Sequence, residues 1–317
     1  MALRPHIRIA EPERFSPAAL EALRAIGDVE LRACARGELR AALEACDVFW
    51  FRLAHRIGAE QLGARPRCRV LATPVTGLDH IDLEACAARG VRVVSLRGET
   101  EFLRSVRATA EMTVALALAL LRHIPAAAAS VRAGAWQRDL FPGRELHGKR
   151  AGLVGVGRLG TIVAQLFTAF GMEVSGYDPR PELPPGVRRV ADLGQLFAES
   201  DVISIHASYH PGTHHLIGRE VLARARQGAV LVNTARGGIV DEAALLDALE
   251  RRRLAGAALD VLEGEPDVPA DHPLIEAASR RDDLLIVPHL GGNTFESFEK
   301  TELFLARRVA EALEAPP

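Results

Sequence analysis

Three side chains of complementary chemistry, Arg236, Glu265 and His289, lie in the second half of the 317-residue sequence. The arginine is a fixed cation, the glutamate is a carboxylate, and the histidine is an imidazole that titrates near neutral pH. Taken singly, each is more often an ordinary surface or turn residue than a functional one. Together they can hold an anion and move a proton, provided that the fold brings them to one place.

Two series of short apolar runs, separated by amphipathic segments, indicate the fold that must position these side chains. Such alternation is typical of an α/β fold with parallel sheets. The second series is the clearer of the two and predicts a Rossmann-type, doubly wound parallel sheet, while the first series predicts a second, smaller domain. The six strands predicted for the second series are 151–155, 173–177, 202–206, 229–233, 257–261 and 284–287.

Two helices are predicted outside these series. The segment 110–121 is apolar almost all round, which predicts a helix buried on every side and favours a homodimer with this helix between the subunits. It is too short for the ~20 residues that a membrane span needs. The segment 294–313 places its apolar residues on one helical face, so we expect a final helix that packs on the first domain.

A glycine-rich turn follows the first strand of the second series. Gly155, Gly157 and Gly160 fit the pattern G-x-G-x-x-G, in which the glycines permit a tight turn, the approach of backbone amides to a pyrophosphate, and close helix packing. Asp178 ends the following strand, where it would accept hydrogen bonds from an adenosine ribose and repel a 2′-phosphate. The predicted cofactor is therefore NAD, although Arg180 weakens the preference over NADP.

The carboxyl ends of the predicted strands are rich in polar residues and glycine. These ends meet at one edge of a parallel sheet, where ligands bind in open α/β folds. The residues concerned are Gly155, Asp178, His206, the run 233–236, Asp260, Pro288 and His289. Their convergence would place Arg236, Glu265 and His289 beside a nicotinamide, as the reduction of a 2-oxo acid requires.

Four histidines have the spacing of metal ligands: His206, His210, His214 and His215. However, Pro211 and Gly212 break the helix that would align them, and no cysteine or carboxylate completes a ligand shell. The sequence therefore predicts no metal site.

Composition argues against several kinds of partner. The formal net charge of -2 and the isoelectric point of about 6.6 provide no positive field for nucleic acid or for an anionic membrane. The four cysteines have spacings unlike those of a disulfide framework, which favours free thiols in a reducing cytosol. Residues 1–10 are not followed by the apolar stretch of a secretory signal. We therefore expect a cytoplasmic protein that acts on a small molecule.

The chain resembles the D-isomer-specific 2-hydroxyacid dehydrogenases over nearly its whole length. The likeness rests on the segments 76–82, 155–160, 233–241, 259–261 with 265–266, and 288–292. The domains implied by this resemblance are a flavodoxin-like substrate-binding (cap) domain of residues 1–97 and 291–317, and an NAD-binding domain of residues 98–290. The reaction would take place in the cleft between them.

The same resemblance implies catalytic roles for the three residues considered first. Arg236 would hold the substrate carboxylate and the 2-oxo oxygen, which suits a forked guanidinium. His289 would be the acid and base, and Glu265 would hydrogen bond to its other ring nitrogen. The acid–base pair would then exchange a proton with the substrate oxygen while Arg236 keeps carbon 2 near the nicotinamide.

Further residues would contact the ligands. The amides of Thr76 and Gly77 would cradle the substrate carboxylate, with Arg52 as an additional anchor, and Asp260 would orient the nicotinamide carboxamide. The cofactor-binding residues implied by the resemblance are Gly155, Gly157, Arg158, Leu159, Gly160, Asp178, His206, Ala207, Thr234, Ala235, Asp260, Gly291 and Gly292.

Two segments depart from the family pattern. The run 206–208 lacks the proline that is usual two residues after the histidine, and the charged segment 96–106 is longer than the usual connection. This segment is either a solvated loop or a substrate-contacting loop at the hinge, and it argues against assigning 3-phosphoglycerate as the substrate.

The predicted function is the NAD-dependent interconversion of a small D-2-hydroxy acid and its 2-oxo acid. The alternative from another class is an NAD(H)-sensing binding protein, similar to the corepressor relatives of this fold. Formate or phosphite oxidation ranks lower, because the partner of His289 would be a glutamate rather than the glutamine of formate enzymes.

Overall fold

The computed structural model describes residues 4–314. The ends of the predicted cap domain, residues 1–3 and 315–317, lie outside the described residues, as does the start of the segment 1–10. The chain divides into two units, which are Met1–Val106 with Asn293–Pro317, and Arg107–Gly292.

The unit boundaries differ from the predicted domain boundaries at both ends of the second unit. Residues 98–106 belong to the first unit rather than the second, and residues 291–292 belong to the second rather than the first. Phe102 explains the first difference. Its ring stacks on the ring of Phe304 in the final helix, with 4.0 Å between the ring centroids, and thereby ties the segment to the first unit.

The first unit contains a five-stranded parallel sheet in the order β2-β1-β3-β4-β5. Its strands are β1 (His6–Ile9), β2 (Asp28–Leu31), β3 (Val48–Trp50), β4 (Val70–Thr73) and β5 (Arg92–Ser95). Its first helices are α1 (Pro17–Ile26), α2 (Leu39–Ala45), α3 (Ala59–Leu62), α4 (Leu83–Ala87) and α5 (Thr100–Leu103). Strand β2 was not predicted, because this edge strand has only two apolar residues and is largely exposed.

The second unit begins with the apolar helix α6 (Ala108–Leu121), which was predicted as 110–121. It packs on one face of the sheet of its own unit, so Glu111 and Ala115 are exposed and the prediction of burial on every side is wrong for the single chain. His123 has a left-handed φ of +51° and separates it from α7 (Ile124–Arg132).

None of the described helices alone is long and apolar enough to cross a membrane. The helical stretch 100–121 and α7 meet the length and composition criteria only as a pair, and they are bent by 62°.

The second unit has a seven-stranded, fully parallel sheet in the order β12-β11-β10-β9-β6-β7-β8. The strands are β6 (Arg150–Val154), β7 (Glu173–Tyr177), β8 (Val187–Arg189), β9 (Val202–Ile205), β10 (Ala229–Asn233), β11 (Leu254–Leu259) and β12 (Leu284–Ile286). The order reverses between β6 and β9, which is the switch point of a doubly wound Rossmann sheet and confirms the predicted fold class. The prediction missed β8, an edge strand with a single apolar residue.

Five further helices flank this sheet, namely α8 (Arg158–Ala169), α9 (Leu193–Glu199), α10 (Arg219–Ala223), α11 (Glu242–Glu250) and α12 (Pro273–Ala278). The chain then returns to the first unit as α13 (Phe295–Glu314). The buried face of α13 carries Leu305 and Val309, which share a core with Leu23 of α1. This is the packing that the amphipathic pattern of 294–313 predicts.

Candidate active site

The glycine-rich turn between β6 and α8 has the shape that a dinucleotide pyrophosphate requires. Gly155 has a φ of +88°, which glycine adopts without steric penalty. A Cβ atom at Gly160 would lie 2.3 Å from the carbonyl oxygen of Gly155, so only glycine allows α8 to pack this closely. A Cβ atom at Gly157 would meet no described atom within 4 Å beyond its chain neighbours. That side of the turn is therefore open to an anion, beside the amides that begin α8.

Asp178 lies just beyond β7, where an adenosine ribose would bind beside the glycine-rich turn. It is buried, and it accepts hydrogen bonds from the amide of Val156 at 2.7 Å and from the amide and Nε of Arg180, both at 2.9 Å. Burial alone would raise the pKa of Asp178, but the hydrogen bonds from Arg180 and Val156 and the charge of Arg180 lower it. Asp178 is therefore a carboxylate whose charge Arg180 partly neutralises.

Asp178→Ala is expected to reduce the preference for NADH over NADPH by about 10²-fold, because each hydrogen bond to a charged group contributes about 1.5–3 kcal/mol. The ratio of the two dissociation constants, measured by nicotinamide fluorescence, reports this directly. Because the pKa of Asp178 is lowered, the preference should persist as the pH falls below the ordinary carboxyl range and disappear only as the pH falls through the lowered value.

The control for this prediction is Arg180→Gln, which removes the neutralising charge and leaves the carboxylate. It should increase the preference for NADH. An unchanged ratio in Asp178→Ala would contradict the assignment of this carboxylate to the ribose.

His206 and Ala207 follow β9 and border the same turn. A Cβ atom at Gly155 would lie 2.6 Å from the amide nitrogen of Ala207, so the two segments are in contact. Burial lowers the pKa of His206 to about 3, and its ring is therefore neutral. Its Nε2 lies 2.9 Å from the hydroxyl of Ser204, whereas its buried Nδ1 has no hydrogen-bond partner among the described residues. A bound ligand with a polar group would satisfy that atom.

Two catalytic candidates and the cofactor candidate Asp260 follow three neighbouring strands, β10, β11 and β12, whose carboxyl ends are paired in register. Arg236 follows β10, Asp260 follows β11, and His289 follows β12. Because the strands are parallel, these segments leave the sheet at the same edge.

Direct contacts between the loops complete this arrangement. A Cβ atom at Gly237 would lie 2.0 Å from the carbonyl carbon of Leu262, so the backbone that follows Arg236 touches the loop that carries Glu265. The amide of Leu262 donates a hydrogen bond of 2.8 Å to Oε1 of Glu265. The loop after β10 thus supports the glutamate that holds His289.

Glu265 and His289 form a hydrogen-bonded pair, with 2.7 Å between Oε2 of the glutamate and Nδ1 of the histidine. About a quarter of each side chain is exposed, at 26% and 27%. His289 has a left-handed φ of +52°, and its amide donates to the carbonyl oxygen of Asp260 at 2.8 Å. With Nδ1 held by the carboxylate, proton exchange with a ligand falls to Nε2. This is the pairing that the resemblance implied.

Asp260 is buried and organises the segment after His289. Its Oδ1 accepts from the amide of Leu290 at 2.6 Å, and its Oδ2 accepts from the amide of Gly291 at 2.8 Å. Burial raises the pKa of Asp260. The hydrogen bonds from these two amides and the nearby His289 partly offset this rise. Each carboxylate oxygen has a second lone pair, so the predicted contact with a carboxamide stays compatible with this structural role.

Asn233 shapes the loop that presents Arg236, and sequence reasoning gave it no individual role. Its side-chain amide donates to the carbonyl oxygen of Arg236 at 3.0 Å, and its oxygen accepts from the amide of Ala235 at 3.0 Å. Thr234, a predicted cofactor residue, is buried and lies 2.8 Å from the hydroxyl of Thr113 in α6. These hydrogen bonds fix the carboxyl end of β10 and the start of the loop that carries Arg236.

Arg52, Thr76 and Gly77 lie in the first unit, after the paired strands β3 and β4. The guanidinium of Arg52 pairs with buried Glu302 of α13 at 2.6 Å and donates to the carbonyl oxygen of Glu11 at 3.1 Å. Arg52 therefore stabilises the packing of α13, a role that the sequence did not indicate. The predicted contacts of these three residues with substrate stay predictions.

The charged segment 96–106 is fastened to α13 by more than the Phe102 stack. Glu99 forms an ion pair with Arg308 at 3.3 Å, and Lys300 donates to the carbonyl oxygen of Ser105 at 3.2 Å. The sequence left two interpretations of this segment, a solvated loop and a substrate-contacting loop. The first is wrong for Glu99 and Phe102, because both are held against α13.

Comparison with known proteins identifies a matching family. The family model for the NAD binding domain of D-isomer specific 2-hydroxyacid dehydrogenases matches residues 114–291. Hydroxypyruvate reductase from Thermotoga maritima is 36% identical over 279 residues, which cover 88% of both chains. D-3-phosphoglycerate dehydrogenase from Mycobacterium tuberculosis is 40% identical over 285 residues, which cover 88% of this chain and 51% of that protein. The chain thus spans about half the length of these dehydrogenases.

A solved structure of similar fold is D-lactate dehydrogenase from Aquifex aeolicus, complexed with NAD and lactic acid. It is 28% identical, with a TM-score of 0.83, over 98% of this chain and 95% of that one. The likeness extends over both units, whereas the family model covers the NAD-binding part alone.

Proposed function

Because this chain belongs to the D-isomer specific 2-hydroxyacid dehydrogenase family, we propose that it interconverts a small D-2-hydroxy acid and its 2-oxo acid, with NAD as the hydride carrier. The observation that carries this proposal is the pair of Glu265 and His289, 2.7 Å apart, in the same unit as a glycine turn that fits a pyrophosphate.

In the reduction, each candidate site residue of the second unit has a separate role. When bound, NADH supplies the hydride. His289 donates a proton from Nε2 to the oxygen on carbon 2, and Glu265 stabilises the imidazolium before the transfer and keeps Nδ1 protonated after it. Arg236 binds the substrate carboxylate and the 2-oxo oxygen with its forked guanidinium. In the reverse direction His289 accepts the proton.

The proposed substrate class is defined by what this machinery can recognise. A carboxylate next to a carbonyl satisfies Arg236 and His289, and the names of the relatives indicate that the third substituent varies among them. We propose a small third substituent, and a panel with both phosphorylated and unphosphorylated 2-oxo acids identifies it.

A screen of NADH consumption tests the proposed function. The panel comprises glyoxylate, hydroxypyruvate, 3-phosphohydroxypyruvate, pyruvate and branched or sugar-derived 2-oxo acids. Turnover of at least one of these is expected. Tight NADH binding without turnover of any would instead favour an NAD(H)-sensing binding protein.

We also propose that the protein is a homodimer. Support comes from the segment that begins at α7, where several large apolar side chains are exposed in the single chain: Ile124 at 52%, Val131 at 51%, Trp136 at 89% and Leu140 at 63%. Exposed apolar surface of this kind favours association. Sedimentation equilibrium is expected to give twice the 34.2 kDa of one chain. A Trp136→Ser variant that remains dimeric with unchanged affinity would contradict the use of this surface.

The cytoplasm is the proposed location. All four cysteines, Cys34, Cys46, Cys68 and Cys86, are free and buried, which suits a reducing compartment.

A further inference from the structure

Three side chains with metal-binding atoms, His214, His215 and Glu263, meet on the second unit and form what we call the His–His–Glu cluster. Nε2 of His215 lies 2.8 Å from Oε2 of Glu263, and Nδ1 of His214 lies 3.7 Å from Oε1 of the same carboxylate. The two imidazole rings are stacked with 3.8 Å between their centroids. One ligand atom from each residue falls within 4.8 Å of the others.

Besides the helix break at Pro211 and Gly212, the sequence-based argument against a metal rested on the premise that no carboxylate completes the ligand shell. That premise is wrong, because the fold brings Glu263 to His215 from 48 residues away along the chain. His206 and His210, the other two histidines of that group, do not belong to the cluster.

The backbone amides of His215 and Glu263 are both held by hydrogen bonds within the second unit. The amide of His215 donates to the carbonyl oxygen of Gly238 at 2.8 Å, and its left-handed φ of +50° accompanies the stacking of the two rings. The amide of Glu263 donates to Oε1 of Glu242 at 2.8 Å. The ligand atoms are therefore close together before any ion binds, which reduces the entropy lost on binding.

The spacing suits a transition metal. Imidazole nitrogen and carboxylate oxygen bind Zn²⁺ at about 2.0–2.2 Å, so two ligand atoms that share one ion lie at most about 4.2 Å apart. The shortest distances to Glu263 are within this limit and run to its two oxygens, to Oε2 from His215 and to Oε1 from His214. With one ligand atom from each residue, all three atoms lie within 4.8 Å of one another. Side-chain rotations that bring them within about 4.2 Å would close the site.

The ligand types select the kind of ion. Two imidazoles and one carboxylate suit Zn²⁺, Ni²⁺ or Co²⁺, whereas Mg²⁺ and Ca²⁺ prefer oxygen alone. Between 38% and 42% of each side chain is exposed, so water can complete the coordination sphere. The hydroxyl of Tyr209 lies 3.2 Å from Nδ1 of His214 and would compete with an ion for this nitrogen.

We propose that the His–His–Glu cluster binds one divalent transition metal ion, such as Zn²⁺, at a site distinct from the pair of Glu265 and His289. The site goes beyond the proposed dehydrogenase function and does not depend on it. The two sites share one loop. Glu263 follows Leu262, whose amide donates a hydrogen bond to Glu265.

The test is calorimetric titration of Zn²⁺ into the full chain, free of any polyhistidine tag, with Co²⁺ absorption as a second readout of tetrahedral coordination. One ion per chain is expected. His215→Ala and Glu263→Gln should each weaken binding at least about tenfold, which is the lower end of the loss caused even by indirect changes around a metal. NADH affinity, measured in parallel, confirms that each variant is folded.

His210→Asn is the matched control. It removes a histidine from the same loop, and the new amide can still accept the hydrogen bond that His210 receives from Gly212 at 3.1 Å. Binding should be unchanged in this variant. The proposal is overturned if the parent protein binds no Zn²⁺, if both cluster variants bind it normally, or if His289→Ala abolishes binding while His215→Ala does not.

Discussion

Replacing His289 by alanine is expected to lower kcat for the reduction of a 2-oxo acid by about 10²–10⁴-fold, the usual contribution of a positioned acid or base. Glu265 holds Nδ1 of the imidazole at 2.7 Å, so the proton for the 2-oxo oxygen would come from Nε2 of His289. Alanine has no group that can protonate this oxygen as the hydride arrives. Stopped-flow measurement of NADH oxidation gives the rate. NADH binding should change little, because His289 is proposed to contact the substrate rather than the dinucleotide turn.

A Glu265→Gln variant separates the two members of this pair. Glutamine keeps an oxygen that can accept from Nδ1 but lacks the carboxylate charge, so kcat should lie between that of the parent and that of His289→Ala. Retention of full activity by His289→Ala, or by Glu265→Gln, would show that the pair is structural.

Replacing Arg236 by methionine is expected to lower kcat/KM for the 2-oxo acid by roughly 10²–10³-fold. Removal of one partner from a charged, hydrogen-bonded contact costs about 2–5 kcal/mol, and the loss of orientation adds to this. Steady-state kinetics with a substrate found in the screen measures the effect. Methionine preserves much of the side-chain length, so the loop held by Asn233 should remain in place.

The control variant Arg236→Lys keeps the positive charge but removes the forked guanidinium. Lysine supplies a point charge, so partial activity with a raised KM is expected. NADH affinity equal to that of the parent in both variants would confirm that the nucleotide turn is intact. A methionine variant with normal kcat/KM would remove Arg236 from the substrate site.

Much of the fold was predictable because buried parallel strands are short apolar runs. The bounds of Glu173–Tyr177 and Ala229–Asn233 agree with those predicted. The strands that were missed, Asp28–Leu31 and Val187–Arg189, lie at sheet edges and bury too little surface to require such a run. Their pairing is decided by backbone hydrogen bonds to a neighbouring strand, which leave no pattern in the residue types.

The candidate site likewise combines features that the sequence predicted with features that it did not. The glycine-rich turn was found from local spacing, since each glycine meets a local steric demand. The contact of Gly237 with Leu262 and the approach of Glu263 to His215 depend on loops that are distant in sequence. Neither has a period or a motif that spacing alone reveals. The sequence analysis therefore considered the histidines 206, 210, 214 and 215 without Glu263 and predicted no metal site.

The transfer of deuterium from NADH to carbon 2 of the product tests the central claim most directly. The reduction is run with each C4-deuterated epimer of NADH, and the product is separated by chiral chromatography and weighed by mass spectrometry. One epimer is predicted to give the D-2-hydroxy acid with deuterium at carbon 2, and the other to give the same enantiomer without it. An L product, or a product without deuterium from both epimers, would contradict the account.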